Sequence, residues 1–283
     1  MTGMTWLVTG ASSGIGATYA DRLARRGNDL VLVARDRERL NGLAQRLRKA
    51  TGVAVEVVPA DLGTADGLLR IEQRLRSDGK ITGLVNNAGV AGGGPIISAN
   101  ADVLESMIKL NVIAPTRLVA AIAPRLSAAR SGAIVNIASV TALMPGALAP
   151  TYPATKAYLL YFSEAIAKEL SAYGVFVQAV LPGITRTEIW EKAGQSLDSL
   201  PPETVMEVDV LVDAALAGLD SREHITIPSL PDAADWEVFL AARQRLQPNL
   251  SHRDAAQRYQ VMSDTVALQS SSAATRASAG TIY

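Results

Sequence analysis

The chain alternates between short runs of consecutive apolar residues and longer stretches in which apolar residues recur every three or four positions. The short runs are rich in Val, Ile and Leu, a composition typical of strands buried on both faces of a sheet. The longer stretches place their apolar residues on one face of a helix. Strands are predicted at Thr5–Thr9, Leu30–Val33, Val53–Val58, Gly83–Val85, Ala133–Ile137, Val175–Leu181 and Ile225–Ile227. Helices are predicted at Ile15–Arg26, Leu40–Leu47, Ala65–Ser77, Val103–Arg130, Tyr152–Tyr173, Trp236–Leu246 and Ala255–Met262.

This alternation of strands and helices favours a parallel sheet with right-handed crossovers and helices on both faces. The predicted fold class is therefore α/β, with a doubly wound parallel sheet of about seven strands. We expect this domain to occupy residues 1–230, followed by a helical extension at 231–283 that ends in a flexible tail of small residues. The stretch Thr185–Val208 interrupts the alternation, and we expect it to form a mobile segment with short helices over the site.

Composition narrows the possible partners and locations. The chain is 48% hydrophobic and 19% charged, and its 27 basic residues balance 27 acidic ones. Nucleic acids and anionic membrane surfaces attract proteins with a basic excess, so neither is expected as a partner. The chain has no cysteine, which excludes disulfides and thiolate ligands and fits a cytoplasmic location. His224 and His252 stand isolated in the sequence, so no metal site is expected.

A glycine-rich stretch lies between the first predicted strand and the first predicted helix, with glycines at positions 10, 14 and 16. Gly10 permits a tight turn, Gly14 lets the backbone approach a pyrophosphate, and Gly16 allows the helix to pack closely on the strand. The N-terminus of the helix then faces the negative charge of the phosphates. A purely structural role for the loop is the alternative, but its position in the chain favours a dinucleotide site and a Rossmann-type sheet.

The end of the second strand indicates which dinucleotide is bound. An acidic residue at this point usually binds the adenosine ribose of NAD, whereas an arginine accepts the 2′-phosphate of NADP. Ala34 occupies the position expected for the acid and Arg35 follows it, which favours NADP(H) over NAD(H). The alternative is that Arg35 is one more solvated charge, and the neighbouring Asp36 keeps that alternative open.

Tyr152 and Lys156 are the residues most indicative of chemistry. Residues four apart lie on the same face of a helix, where an ammonium group can lower the pKa of a phenol from its usual value of about 10. A phenol placed in this way can exchange a proton with an alcohol or carbonyl oxygen. A serine, Ser139, lies upstream of this pair.

In their order along the chain, these motifs resemble those of short-chain dehydrogenases/reductases. The resemblance covers about residues 5–229 and includes Thr9–Gly16, Asp61-Leu62, Asn86–Gly89, Asn111, Ser139, Tyr152-x-x-x-Lys156 and Pro182-Gly183. Thr155 stands where many relatives have serine and keeps the hydroxyl. The resemblance implies that Ser139, Tyr152, Lys156 and Asn111 are catalytic: Ser139 holds the substrate oxygen and Tyr152 is the acid/base. Lys156 binds the nicotinamide ribose and lowers the tyrosine pKa, and Asn111 holds a water of the proton relay.

The resemblance also implies which residues bind the cofactor. They are Gly10, Ser12, Ser13, Gly14, Ile15, Gly16, Arg35, Asp61, Leu62, Asn87, Ala88, Gly89, Tyr152, Lys156, Pro182, Gly183, Ile184, Thr185 and Thr187. Asp61 and Leu62 are expected at the adenine, Asn87–Gly89 at the adenosine ribose, and Pro182–Thr187 at the carboxamide. The family's helices that carry Asn111 and Tyr152 commonly pair between subunits, which implies a homodimer or homotetramer.

The function expected from these features is NADP(H)-dependent interconversion of a ketone or aldehyde and its alcohol. One alternative is a redox-sensing regulator that binds NAD(P) without catalysis. Another is the same fold with epimerase, dehydratase or enoyl reductase chemistry. The spacing of the glycines disfavours the epimerases, and the spacing of the tyrosine and lysine disfavours the enoyl reductases. We expect the substrate pocket to be formed by Gly92–Ile97, Val140–Leu148 and Ile184–Val208 with Trp190 as a wall. The apolar residues among them indicate a hydrophobic small-molecule substrate.

Overall fold

All seven predicted apolar runs form strands of a single parallel sheet in the computed structural model. The structure describes residues 3–146, 149–192, 196–197 and 200–259. Within these residues the strands are β1 (Thr5–Thr9), β2 (Asp29–Ala34), β3 (Val55–Pro59), β4 (Ile81–Asn86), β5 (Gly132–Ile137), β6 (Val175–Val180) and β7 (Ile225–Thr226). Their spatial order is β3-β2-β1-β4-β5-β6-β7. The predicted fold class, an α/β protein with a Rossmann-type parallel sheet, is confirmed.

The helices that connect the strands lie on both faces of the sheet. In chain order they are α1 (Gly14–Arg25), α2 (Arg37–Thr51), α3 (Ala65–Ser77), α4 (Ala101–Ile108), α5 (Ala114–Ala129), α6 (Thr151–Ser171), α7 (Ile189–Lys192) and α8 (Val208–Asp220). A further helix, α9 (Ala233–Gln244), follows the last strand. Single turns of 3-10 helix occur at Val140–Leu143, Pro202–Thr204, Gln247–Asn249 and Gln257–Tyr259. The predicted short helices between residues 185 and 208 are therefore present.

The two faces of the sheet are covered by separate hydrophobic clusters. Alternate residues of β1 point to opposite faces, so Trp6 and Val8 join one cluster while Leu7 joins the other. The first cluster holds the buried faces of α1, α2 and α8, and the second holds those of α3, α5 and α6. Burial on both faces explains why the strands appear in the sequence as nearly continuous apolar runs.

The direction of strand order reverses beside β1, because β2 follows on one side and β4 on the other. The loops that leave the carboxyl ends of β1 and β4 diverge to opposite faces of the sheet. A crevice opens at such a point, which is where open α/β sheets bind their ligands.

The predicted helix Val103–Arg130 contains an irregularity. α4 and α5 are joined by a π-helical segment, Lys109–Ile113, so the helical run is continuous but has a wider turn around Asn111. By length and composition the run Ala101–Ala129 could also cross a membrane, and 44% of its most apolar window is buried inside the protein. Its buried residues, among them Leu118 and Ile122, belong to the core beneath the sheet, as expected for a core helix.

The chain divides into two compact units, Met1–Ser229 and Leu230–Tyr283. In the second unit the helix predicted at Trp236–Leu246 is present as α9, where Trp236 stacks on Phe239 with ring centroids 5.2 Å apart. The helix predicted at Ala255–Met262 is wrong in its described part, which forms only the 3-10 turn Gln257–Tyr259. The predicted small-residue tail lies outside the described residues.

Candidate active site

A cleft of about 470 Å³ opens at the carboxyl ends of the strands. Most of the residues predicted to bind or react line it: Gly10, Ser12, Ser13, Gly14, Ile15, Arg35, Asp61, Leu62, Asn87, Ala88, Gly89, Ser139, Tyr152, Lys156, Pro182, Gly183, Ile184, Thr185 and Thr187. Gly16 and Asn111 lie behind its wall, where they contact residues that do line it. The structure thus brings residues from seven separate segments of the sequence to one place.

The glycine turn at one end of the cleft depends on three glycines for different reasons. Gly10 and Gly14 have φ of 64° and 52°, in the left-handed region that side chains other than glycine rarely adopt. A Cβ at Gly16 would collide with the carbonyl oxygen of Gly10 and would lie 2.5 Å from Asn87 Nδ2. These contacts hold the start of α1 tightly against β1 and leave its N-terminus open to the cleft.

Thr9 fastens the glycine turn to the neighbouring loop, a role that sequence analysis did not assign. Its hydroxyl donates to the carbonyl of Val85 at 3.1 Å and accepts from the backbone N–H groups of Asn87 and Ala88 at 2.9 and 3.0 Å. The side chain of Asn87 in turn donates from Nδ2 to the carbonyls of Thr9 and Gly10 at 3.0 and 3.2 Å. The ends of β1 and β4 are therefore locked together beneath the cleft.

Charged side chains collect at the end of the cleft beside β2. Arg35 is exposed there, while the Asp36 carboxylate caps α2 by accepting from the backbone N–H of Arg39 at 3.0 Å. Arg39 in turn forms an ion pair with Glu188, in which Nη1 contacts both carboxylate oxygens at 2.7 and 2.9 Å, and both residues line the cleft. Sequence analysis missed this pair, because its partners are 149 residues apart.

Asp61, predicted at the adenine, lines the same end of the cleft. Its Oδ1 accepts from the backbone N–H of Gly63 at 2.9 Å, so the carboxylate also stabilises its own turn. Leu62 beside it is buried.

Asn111 sits in the π-helical segment with both ends of its amide engaged. Oδ1 accepts from the backbone N–H of Val90 at 2.9 Å, and Nδ2 donates to the Val90 carbonyl and to Thr155 Oγ1, at 2.8 and 3.2 Å. A Cβ at Gly89 would lie 3.2 Å from Asn111 Oδ1 and 3.7 Å from Lys156 Nζ, so these two polar atoms flank that glycine. The water relay implied for Asn111 stays a prediction. π-Helical turns are frequent at functional sites.

Lys156 is buried on α6 and reaches across to the end of β5. Its Nζ donates to the carbonyl of Ile137 at 2.9 Å and lies 5.6 Å from the centroid of the Tyr152 ring. Burial disfavours the charged amine and lowers the pKa of Lys156 to about 8. The lysine therefore still holds its proton at neutral pH.

Tyr152 departs from the expectation that Lys156 lowers its pKa. Enclosure of the hydroxyl raises the pKa of Tyr152 to about 12, and a hydrogen bond from Ser139 opposes part of that shift. Burial destabilises the phenolate more than the hydrogen bond stabilises it, so the pKa of Tyr152 rises. At neutral pH the phenol is protonated.

Ser139 follows β5 and starts the 3-10 turn Val140–Leu143. Its hydroxyl accepts from the backbone N–H and the hydroxyl of Thr141, at 3.2 and 3.0 Å, and faces the Pro182 carbonyl at 3.5 Å. The backbone N–H of Val140 donates to the same carbonyl at 2.9 Å, which ties the turn to the segment after β6.

A buried chain of polar side chains fixes α6 against the sheet. Asn86 Nδ2 donates to Asn136 Oδ1 at 2.9 Å, and Asn136 Nδ2 donates to Ser163 Oγ at 2.8 Å. Ser163 lies two turns beyond Lys156 on α6, so the chain links β4, β5 and the helix that carries the tyrosine and the lysine. Paired polar groups in a core favour the one arrangement of the elements that pairs them, although Asn86 Oδ1 is buried here without a hydrogen-bond partner.

The segment after β6 forms the wall opposite the glycine turn. Thr185 is buried, its hydroxyl donates to the Gly183 carbonyl at 3.1 Å, and its own carbonyl accepts from Trp190 Nε1 at 2.8 Å. A Cβ at Gly14 would lie 3.3 Å from Thr187 Cγ2, so this segment closes down on the glycine turn. Thr187 donates from its hydroxyl to the Thr185 carbonyl at 3.4 Å.

The expected substrate pocket is only partly as predicted. Val140, Ile184, Ile189 and Trp190 line the cleft and give it an apolar wall. Gly92–Ile97 does not line it, and Ile97 is 94% exposed. Of the expected stretch 140–148, only Val140 and Thr141 line the cleft within the part that the structure describes, and residues 147–148 lie outside that part.

Comparison with known proteins gives consistent results. A family model described as short chain dehydrogenase matches residues 4–198. The very-long-chain 3-oxoacyl-CoA reductase-B of Danio rerio is 32% identical over 226 residues, which are 78% of this chain and 71% of that protein. Among solved structures, a short-chain dehydrogenase from Sphingobium yanoikuyae in complex with NADPH is 52% identical with a TM-score of 0.88, over 90% of this chain and 100% of that one. A bulky-bulky ketone specific alcohol dehydrogenase from Comamonas testosteroni is 45% identical with a TM-score of 0.85, over 92% of this chain and 100% of that one.

Proposed function

The chain belongs to the short-chain dehydrogenase/reductase family, whose members oxidise alcohols or reduce carbonyls with a nicotinamide cofactor, and on that premise we propose that it interconverts a hydrophobic ketone and its alcohol with NADP(H). The observation that carries the proposal is the convergence of three side chains on one cleft. Ser139, Tyr152 and Lys156 meet at the carboxyl ends of the strands, beside a glycine turn that leaves a helix N-terminus open.

The residues at the glycine turn fit a dinucleotide. Glycines with φ above zero let the backbone approach a pyrophosphate, and the N-terminus of α1 offers its N–H groups to the negative charge. With its pyrophosphate bound there, the dinucleotide would supply or accept the hydride through its nicotinamide. Gly16 supports this arrangement from behind, since its missing Cβ is what allows α1 to begin so close to β1.

The preference for NADP(H) rests on the end of β2. Ala34 offers no carboxylate to a ribose hydroxyl, and the exposed Arg35 has the planar, permanently charged group that recognises a phosphate. Asp36 is engaged as the cap of α2. The relative from Sphingobium yanoikuyae, solved with NADPH, supports the same choice.

The side chains suggest how the proton and the charge are handled. Ser139 and Tyr152 both line the cleft, where they would bind one substrate oxygen and stabilise the negative charge that develops on it during reduction. Because the phenol is protonated at neutral pH, Tyr152 is ready to deliver its proton to that oxygen. Lys156, still charged, would orient a ribose hydroxyl and favour recovery of the proton, with Asn111 holding the backbone of Val90 beside it.

The class of substrate follows from the apolar wall. Ile184, Ile189 and Trp190 make that side of the cleft largely apolar. Among the described residues of this segment that line the cleft, Glu188 is the one charged side chain, and it is paired with Arg39. The similarity to an enzyme specific for bulky-bulky ketones supports a ketone with two large apolar substituents. An aromatic ketone such as benzophenone has this shape and is a suitable first probe.

We propose further that the protein acts in the cytoplasm as a homodimer or homotetramer. The lack of cysteine fits a reducing compartment. Ile113 on the π-helical segment and Tyr158 and Tyr161 on α6 are large side chains that are each at least 39% exposed. A second copy of the chain would cover them.

The proposal is tested by fluorescence titration with NADPH and NADH. We expect Arg35→Ala to weaken NADPH binding by roughly 10- to 100-fold, the equivalent of a charge-assisted hydrogen bond, and to leave NADH unchanged. Arg46→Ala, an exposed arginine of α2 that does not line the cleft, is the matched control and should alter neither. Equal binding of the two cofactors by the native protein would overturn the NADP(H) preference.

Turnover is tested separately by following NADPH oxidation with benzophenone and a panel of other aromatic and aliphatic ketones. Tyr152→Phe should bind NADPH normally but lose at least about 100-fold in kcat, because it lacks the proton to be transferred. Cofactor binding without turnover of any carbonyl would instead favour the alternative of a non-catalytic regulator.

A further inference from the structure

The hydroxyl of Ser139 is constrained by a single neighbour. A serine hydroxyl has two lone pairs that accept and one proton that it donates. Thr141 occupies both acceptor positions, since its backbone N–H and its hydroxyl donate to Ser139 Oγ at 3.2 and 3.0 Å. The proton of Ser139 therefore remains available for donation into the cleft. The nearby Pro182 carbonyl, at 3.5 Å, lies at the outer limit of a hydrogen bond.

The two contacts from Thr141 differ in what they require of the sequence. The backbone N–H contact is an N-cap of the 3-10 turn Val140–Leu143, and any residue other than proline at position 141 would make it. The hydroxyl contact depends on the threonine side chain alone. Thr141 is half-buried in the wall of the cleft, and as a β-branched residue it has few rotamers available.

A hydroxyl that accepts a hydrogen bond becomes a stronger donor, because chains of hydrogen bonds polarise one another. The chain here runs from Thr141 to Ser139 and would continue to the substrate oxygen in the cleft. The direction of the first bond sets the direction of the second. With Thr141 donating, Ser139 can only donate toward the reacting oxygen.

We propose that Thr141 is a positioning residue that orients the Ser139 hydroxyl as a hydrogen-bond donor to the substrate oxygen. This inference rests on the proposed carbonyl reduction. The oriented hydroxyl would stabilise the transition state more than the bound substrate, since the oxygen gains its negative charge only as the hydride arrives. A loss of the Thr141 hydroxyl therefore acts on kcat and leaves KM nearly unchanged.

The experiment is a kinetic double-mutant cycle on Thr141 and Ser139 with NADPH and the best aromatic ketone of the panel. Thr141→Val keeps the shape and the backbone N–H and should lower kcat about tenfold, the effect of one net hydrogen bond. Thr141→Ser restores the hydroxyl and should recover kcat to within about threefold of the native value. In a Ser139→Ala background, Thr141→Val should change kcat less than about twofold, because the group it positions is gone.

Three results would overturn the inference while leaving the proposed function intact. The first is native kcat in Thr141→Val. The second is an undiminished loss in the Ser139→Ala background, which would show that Thr141 contacts the substrate directly. The third is a change confined to KM. Absence of turnover in the native protein would overturn the proposed function, and the catalytic role of Thr141 with it.

A second cycle needs no turnover. Urea unfolding of the same four proteins measures whether Thr141 and Ser139 are coupled in the native state. Additive effects would show that the hydroxyl bond does not form and would overturn the inference regardless of activity.

Discussion

Replacing Gly16 with alanine tests the most tightly packed point of the cofactor end. The added Cβ would collide with the Gly10 carbonyl and lie 2.5 Å from Asn87 Nδ2. Neither partner can move away easily. The first is backbone, and the second is held by hydrogen bonds to the carbonyls of Thr9 and Gly10 at 3.0 and 3.2 Å.

The size of the effect follows from two opposing contributions. Forcing an extra methyl group into a packed site costs roughly 1–3 kcal/mol. Alanine is the better helix former by about 1 kcal/mol, and Gly16 is in the first turn of α1, so part of that gain offsets the cost. A net loss of about 1–2 kcal/mol corresponds to a fall in Tm of about 2–8 °C for a protein near this size. The displaced glycine turn should also weaken NADPH binding about tenfold, equivalent to one lost hydrogen bond.

Thermal unfolding and NADPH titration measure the two consequences separately. The control is Gly42→Ala, since Gly42 is an exposed glycine within α2 whose Cβ would meet nothing within 4 Å. The control should gain about 0.5–1 kcal/mol from helix propensity and bind NADPH as the native protein does. If Gly16→Ala matched Gly42→Ala in both Tm and affinity, the argument from close packing would be refuted.

Three further predictions follow from buried and charged groups. Asn136→Ala leaves the Asn86 amide without its acceptor and should lower the free energy of unfolding in urea by about 2–3 kcal/mol. Glu188→Gln removes one of the two carboxylates that pair with Arg39, the other being Asp36 at 3.4 Å, and should tighten NADPH binding by about 2- to 5-fold in titration, with NADH unchanged. Weaker NADPH binding would contradict this. Because burial lowers the pKa of Lys156 to about 8, the folded state holds fewer protons than the unfolded state above that pH. Stability should therefore rise from about pH 8 to 10 relative to Lys156→Met in urea unfolding, and parallel curves would contradict it.

The sheet was predictable because its strands are buried on both faces. A run such as Leu30–Val33 has one interpretation when polar residues and turns bound it on either side, and the structure extends it by one residue at each end. Helix α3 begins and ends at the predicted residues, where Thr64 caps it and Asp78 ends it. In these elements local sequence and tertiary packing agree, so periodicity was sufficient.

The parts that were not predictable depend on contacts between distant segments. The apolar spacing around Asn111 is that of an ordinary helix, and the π-helical turn forms where the amide bonds to Val90 and Thr155. Arg39 and Glu188 each look like solvated charges until the fold brings them to one end of the cleft. Periodicity carries no information about such pairs.

The direction of the Tyr152 pKa shows why the sequence argument fell short at the catalytic pair. Four-residue spacing correctly puts the ammonium near the phenol, with Lys156 Nζ 5.6 Å from the ring centroid, but it does not reveal how much water is excluded. Burial acts on both groups and favours the neutral form of each, which raises the pKa of the tyrosine and lowers that of the lysine. With values near 12 and 8, both side chains hold their protons at neutral pH. A protonated phenol is the form that the proposed reduction needs as its acid.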